Sequence, residues 1–237
     1  MTAILPSVAL ALSQLGDPVF RAVFLKGVGL TLALLLAAAF GTFALIGWLL
    51  PDSFTLPWIG AVGFLDEVAS SAGLLAVLVA SIFLMVPVAS AVTGFFLDDV
   101  ADAVESRHHP RLSPARRLGL AESLRDAAGF LVLIVLVNLA ALIVYFAVAP
   151  LAPFVFWAVN GFLLGREYFQ LVALRRVGPD GARRMRRRHA LTIWLAGVLM
   201  AIPLTVPVLN LAVPILGAAT FTHLFHRLWD PARVPPV

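Results

Sequence analysis

The stretch Ala127–Gly165, AAGFLVLIVLVNLAALIVYFAVAPLAPFVFWAVNGFLLG, runs for thirty-nine residues without a charged side chain. A spanning helix needs about 20 apolar residues, so this run belongs in lipid rather than in a soluble core. Pro150 and Pro153 divide it unequally, and the arm after them, Phe154 to Gly165, provides only about 18 Å of helix against a hydrocarbon core of about 30 Å. That arm is too short to cross alone. Two readings follow: a long crossing helix whose partner stops halfway, or a hairpin with its tip in the bilayer and both ends on one side. Arginines flank both ends, among them Arg116, Arg117 and Arg125 before the run and Arg166, Arg175 and Arg176 after it. Cytoplasmic segments are rich in Lys and Arg, so both ends are expected in the cytoplasm and the run is read as a re-entrant hairpin, or a tight pair of spans, turning at Pro150–Pro153.

Composition agrees with a membrane protein. The 237 residues are 61% hydrophobic and 13% charged, with a mean hydropathy of +0.99, which leaves no room for a large soluble catalytic domain. The net charge of +4 comes from cations that are all Arg except Lys26 and that cluster outside the apolar runs. This pattern points to topology and anionic headgroups, with no nucleic-acid partner expected. The absence of Cys excludes disulfides, thiolate metal sites and thiol catalysis. With Arg21 as the first basic residue, no charged n-region precedes Ile4–Leu15, and no cleaved signal peptide is expected.

Taken in order, residues 3–15 set Ile4, Leu5, Val8 and Leu12 at helical spacing, with Ser7 and Gln14 elsewhere, which predicts a short interfacial helix. Residues 27–50 form the first expected transmembrane helix, and 73–97, containing Pro87, the second. The loop between them has carboxylates and no Lys or Arg, so it should face away from the cytoplasm. Residues 98–126 are expected to be cytoplasmic. There Asp98, Asp102 and Glu105 share a helical face and His108–His109 follow, letters that suit a solvated helix ending at Pro110 better than a metal site. No metal and no cofactor are expected.

Residues 166–189 form the second cytoplasmic segment, split into two helical pieces by Gly178-Pro179-Asp180-Gly181 and ending in RRMRRRH. The last apolar run, 190–222, is interrupted by Pro203, Pro207 and Pro214 and is read as a second re-entrant hairpin. The fold class is thus all-α and integral to the membrane, a single domain over residues 1–237. Broken helices at membrane depth are tolerated where protein or water satisfies the backbone, which is why they mark substrate paths.

Two full spans followed by two proline-broken hairpins, the segment FFLDDVADAVESRHHP after the second span, and NGFLLGREYF at Asn160–Phe169 resemble the CysZ family of bacterial inner-membrane sulfate permeases, grouped with the etoposide-induced protein 2.4 domain. The resemblance implies half-penetrating hairpins, a homo-oligomer, and sulfate uptake feeding cysteine synthesis. Members of that family have a Gly-Leu-Arg-Arg stretch before the first span that is implicated in sulfate binding. The matching region here reads Val19-Phe20-Arg21-Ala22, which keeps only Arg21. The resemblance also singles out Arg166 and Glu167, although Arg166 equally suits the carbonyl end of the arm Phe154–Gly165.

The resulting expectation is a permease for sulfate or a related oxyanion without its own ATPase, because no phosphate-binding loop occurs in the chain. The alternative is a non-transporting scaffold that docks partners or anionic lipid through its arginine-rich loops. An enzyme is not expected, since the apolar runs hold neither HExxH nor GxSxG. Neither hairpin carries a charge, so an anion path would rely on helix starts within the membrane, at Phe154 and at Leu209-Asn210, where unpaired N–H groups carry about +0.5 charge. The candidate substrate-binding residues are therefore Arg21, Lys26, Arg166, Glu167 and Asn210, with Arg21 and Lys26 gathering anions at the cytoplasmic mouth.

Overall fold

A computed structural model describes residues 2–49, 54–56, 60–62 and 96–236. The chain divides into two compact units, one formed by residues 25–94 and the other by residues 1–24 together with 95–237.

Helices α1 (Ile4–Ser13) and α2 (Pro18–Leu49) open the chain. The unbroken α2 covers nearly all of the first expected crossing, 27–50, and begins nine residues earlier. Within residues 25–94 a two-stranded antiparallel ribbon pairs β1 (Phe54–Leu56) with β2 (Gly60–Val62), Thr55 opposite Ala61. Among the described residues the other regular elements are helical. The second expected crossing, 73–97, lies outside the described residues except for its last two positions.

The larger unit continues with α3 (Leu97–His108) and α4 (Leu120–Ala147), and a 3-10 turn at Ala149–Leu151 separates α4 from α5 (Ala152–Arg188). After α6 (Ala190–Ala201) come a 3-10 turn at Ile202–Thr205, the short α7 (Pro207–Asn210) and α8 (Val213–Leu228). Both chain breaks expected from proline occur, at Ala149–Leu151 and at Ile202–Thr205. Within α4, Arg125–Ala147 is long and apolar enough to cross a membrane, and almost none of it is buried in the protein. Taken together, α5 and α6 also meet that test, as a pair bent by 86°.

Helix α5 does not stop at Gly165 but runs on through the expected cytoplasmic segment. Its break falls at Gly178, whose φ of 64° lies in the left-handed region that side chains with a Cβ avoid. Pro179 follows directly and donates no N–H to the preceding turn. The reading of Gly178–Gly181 as a divider holds, since the kink at Gly178 separates two helical pieces of α5.

The part of α5 that precedes the Gly178 kink packs against α6 at very close range. A Cβ added to Gly197 would lie 1.9 Å from the Gly161 carbonyl oxygen, and one added to Gly165 would lie 2.6 Å from that of Ile193. Gly161 and Gly165 are four residues apart on one helical face, the small-xxx-small spacing that lets backbones approach inside membranes. Trp194 Nε1 donates to the Ala158 carbonyl at 3.0 Å along the same seam. The short arm Phe154–Gly165 is therefore satisfied by packing against α6.

Helix α8 is the hub of this unit, buried from Val213 through Phe225 apart from Leu216 and packed against α1, α3 and α5. Its rings meet those of α5, with Tyr168 beside Phe221 and Phe169 beside Phe225 at centroid separations of 5.9 and 5.8 Å. Such aromatic pairs contribute about 0.5–1.5 kcal/mol beyond their buried area.

Helix α1 buries a mixed face against the protein. Ile4, Ser7, Ala11 and Gln14 point inward, whereas Leu5 and Leu12 are exposed. Small or hydrogen-bonding side chains let α1 lie close to its neighbours: Ser7 Oγ donates to the Ala3 carbonyl at 2.7 Å, and Gln14 Nε2 to Asp17 at 3.2 Å. The leucines remain on the outer face, as an interfacial helix requires.

Candidate functional site

A buried network of charged groups joins α3, α5 and α8. Helix α3 turns Leu97, Val100, Ala101, Val104 and Glu105 inward, a single helical stripe that includes one carboxylate. Glu105 is 5% exposed and Arg176 6%, so both charges are largely out of water. They are joined by a forked pair: Arg176 Nε donates to Glu105 Oε1 at 2.8 Å and Arg176 Nη2 to Oε2 at 2.5 Å. Arg176 Nη1 donates to the Ser113 carbonyl at 2.6 Å, and His226 Nε2 lies 2.9 Å from Glu105 Oε1. Burial alone would raise the Glu105 carboxyl. Hydrogen bonds from His226 and Arg176, with the charge of Arg176, more than offset that and hold it at about 2.

Arg175, next to Arg176 and also buried, pairs with Asp102 and reaches Asp98 at 3.4 Å. All three carboxylates of the α3 face are thus engaged by the two adjacent arginines. The sequence reading of a solvated acidic helix does not hold for Glu105, because two cations from α5 return to neutralise that face. A cavity of about 390 Å³ opens beside the network, lined among others by Glu105, His109, Arg117, Arg175 and Arg176.

Four of the five histidines collect on its other flank. The His108 and His223 rings meet edge-on at 4.7 Å, and those of His109 and His226 lie 4.1 Å apart. Burial, followed by the neighbouring His108, His109 and Arg227, holds the His223 imidazole at about 4, so it is neutral at pH 7. Burial and the adjacent His226 likewise lower His109. Together with Leu10 and Arg227 these four line a cavity of about 240 Å³. Among the described residues no three His, Asp or Glu side chains are placed to share a metal ion. What the cluster offers is a set of exchangeable protons around a fixed carboxylate and two arginines.

Of the residues singled out from the sequence, Arg166 lines a cavity between α4, α5 and α6. Arg21 and Lys26 are exposed positions of α2, Glu167 is exposed on α5, and Asn210 ends α7 half-buried. Arg21, Arg166, Glu167 and Asn210 make no hydrogen bond or ion pair with one another among the described residues. The helix start expected at Phe154 lies at Ala152, and the one expected at Leu209-Asn210 is displaced: α7 begins at Pro207 and the long second arm at Val213. Asn210 therefore follows a helix start rather than making one, and its N–H bonds the Val206 carbonyl at 2.9 Å. Sequence reasoning missed Glu105, Arg175, Arg176 and His226. The available signal was the match between three acids on one helical face and a double arginine among apolar residues.

Fold and site together define a helical membrane protein with charged groups buried between helices that pack on proline-broken apolar arms. A family model, sulfate transporter CysZ/etoposide-induced protein 2.4, matches residues 7–214, and the chain belongs to that family. No curated protein and no solved structure matches the chain. The family is one of transporters rather than enzymes, which places the protein in a membrane with a sulfate-transporter-like role at the level of the family.

Proposed function

We propose that this protein is a permease of the bacterial inner membrane for sulfate or a related oxyanion, supplying sulfur for cysteine synthesis. The observation that supports it is the family match, which covers residues 7–214, from within α1 to the first residues of α8. In this reading the protein is a homo-oligomer whose N- and C-termini face the cytoplasm, and both proline-broken helix pairs turn inside the bilayer. Anions gather at Arg21 and Lys26, and Arg166 with Glu167 borders the path. Asn210 supplies a neutral donor between α7 and α8, where weak sites allow a dianion to leave as well as enter.

Topology is tested with single cysteines at 152, 180 and 206, since the parent has none. Position 180 should label from the cytoplasm and the other two from neither side; labelling of 152 from the periplasm would replace the hairpin by full spans. The path is tested in liposomes with Asn210→Leu and Arg21→Gln. Asn210→Leu should lower maximal sulfate flux at every salt concentration, and Arg21→Gln mainly at low ionic strength, where charges at the mouth are least screened. Unchanged flux in both variants removes these residues from the path.

A further inference from the structure

The cavity between α4, α5 and α6, about 580 Å³, lies apart from the buried charge network. Its wall is apolar, from Leu133 of α4, Phe162 of α5 and Leu191, Ile193 and Trp194 of α6, and its charged lining residues are Arg166 and Arg186. Both arginines belong to α5. Separated by that many residues in one straight helix they would stand about 30 Å apart, but the left-handed Gly178 bends α5 so that both reach one cavity.

The two cations are only partly neutralised. Arg166 stacks its guanidinium over the Phe130 ring at 5.1 Å, and its Nη1 is buried without a hydrogen-bond acceptor. Arg186 Nε is buried without one as well. Asp126 is the carboxylate that favours the Arg186 charge, and it already accepts a hydrogen bond from Gln170 at 3.1 Å, while Arg166, Arg183 and Arg187 all oppose that charge. Burial and these like charges lower the Arg186 guanidinium from its ordinary value. Two arginines that line one cavity, each with a buried donor that no acceptor meets and with so little negative charge nearby, call for an anion.

We propose that this cavity is a binding site for an anionic phospholipid: Arg166 and Arg186 take the headgroup phosphate, and an acyl chain lies along Leu133, Phe162, Leu191 and Trp194. The wall decides between this occupant and a free oxyanion. Inorganic sulfate or phosphate keeps its hydration and gains nothing from Leu191, which is 66% exposed, or from Phe162, whereas an acyl chain covers both. The position also suits a lipid, because Leu133 belongs to the long apolar stretch of α4 whose surface is almost wholly uncovered by protein. The bound lipid would tie α4 to the α5–α6 pair at headgroup depth. Arg166 would then hold lipid rather than border the anion path, and the quenching test reads lipid binding while the flux test reads sulfate passage, so the two readings fail separately.

The test uses the purified full-length protein in non-ionic detergent, titrated with phosphatidylglycerol brominated on its acyl chains and, in parallel, with equally brominated phosphatidylcholine. Bromine quenches tryptophan, and Trp194→Phe identifies the part of the signal that belongs to the cavity. Phosphatidylglycerol should quench Trp194 at lower mole fraction than phosphatidylcholine, by about 25-fold if each arginine contributes about fivefold. Arg166→Gln with Arg186→Gln should abolish the preference. The double Lys variant should keep part of it, and Leu191→Glu, a surface change that leaves both arginines in place, should also remove it. Equal quenching by the two lipids, or a preference unchanged in monodisperse Gln and Leu191→Glu variants, overturns the site. Displacement of phosphatidylglycerol by inorganic sulfate at matched ionic strength would assign the arginines to a free oxyanion and overturn the lipid as occupant.

Discussion

Removal of the Glu105 side chain is the perturbation that the structure bears on most directly. Glu105→Ala deletes both acceptors of the forked Arg176 pair and the partner of His226, leaving Arg176 with the Ser113 carbonyl alone at 2.6 Å. Breaking a buried pair from one side costs about 3–5 kcal/mol, because the remaining charge is stranded away from water. Arg176→Met strands Glu105 in the same way and should cost a similar amount. The double variant Glu105→Leu, Arg176→Met removes both charges and both desolvation penalties, and its loss should be smaller than that of either single variant. In detergent at neutral pH, with about 2–4 °C of Tm per kcal/mol for a chain of this size, each single variant should fall by roughly 10 °C and the double should recover at least half of that. Single variants within 2 °C of the parent, or a double variant that loses the sum of the two, would refute the claim that these charges form one buried unit.

Acid should destabilise the protein in two stages. His223 has its folded pKa depressed from 6.5 to about 4, so the unfolded chain binds the proton first and stability falls as pH drops from 6.5 to 4. Glu105 is depressed from 4.5 to about 2, and its contribution, present above 4.5, is lost as pH falls further toward 2. The His223 stage is worth about 2 kcal/mol once solvent screening is allowed for, and a pH series of Tm values for the parent and His223→Gln reads it directly: the variant should lack the loss between pH 6.5 and 4.5. Packing of the short arms predicts that Gly197→Val cannot be accommodated, since its Cβ alone would meet the Gly161 carbonyl oxygen. Overpacking of this kind costs about 1–3 kcal/mol or more, and Gly197→Val should lower Tm while Gly129→Ala, at an open position inside α4, does not lower it.

Much of this architecture could be read along the chain. Proline marked the breaks at Ala149–Leu151 and Ile202–Thr205, because a missing N–H and a ring clash act locally. Gly178-Pro179 marked the bend in α5 for the same kind of reason. What was not legible depended on partners distant in sequence. Glu105 and Arg176 are 71 residues apart and Glu105 and His226 are 121 apart, and nothing near Asp98–Glu105 shows that its acidic face will be covered. The burial of Ser7 and Gln14 was not legible because hydropathy ranks side chains by transfer and not by fit; on a closely packed helix a small or bonded polar group buries more readily than Leu5 or Leu12. Gly161 and Gly165 were visible at small-xxx-small spacing, yet the spacing alone does not name α6 as the helix they meet.

Sulfate flux is the quantity on which the functional reading rests. Liposomes containing only this protein, loaded and unloaded with a sulfate gradient and assayed with labelled sulfate, should take up the label faster than protein-free liposomes, with a rate that saturates as sulfate rises. Uptake no faster than in protein-free liposomes, from protein shown to be inserted and monodisperse, would contradict the permease and leave an arginine-rich membrane scaffold in its place.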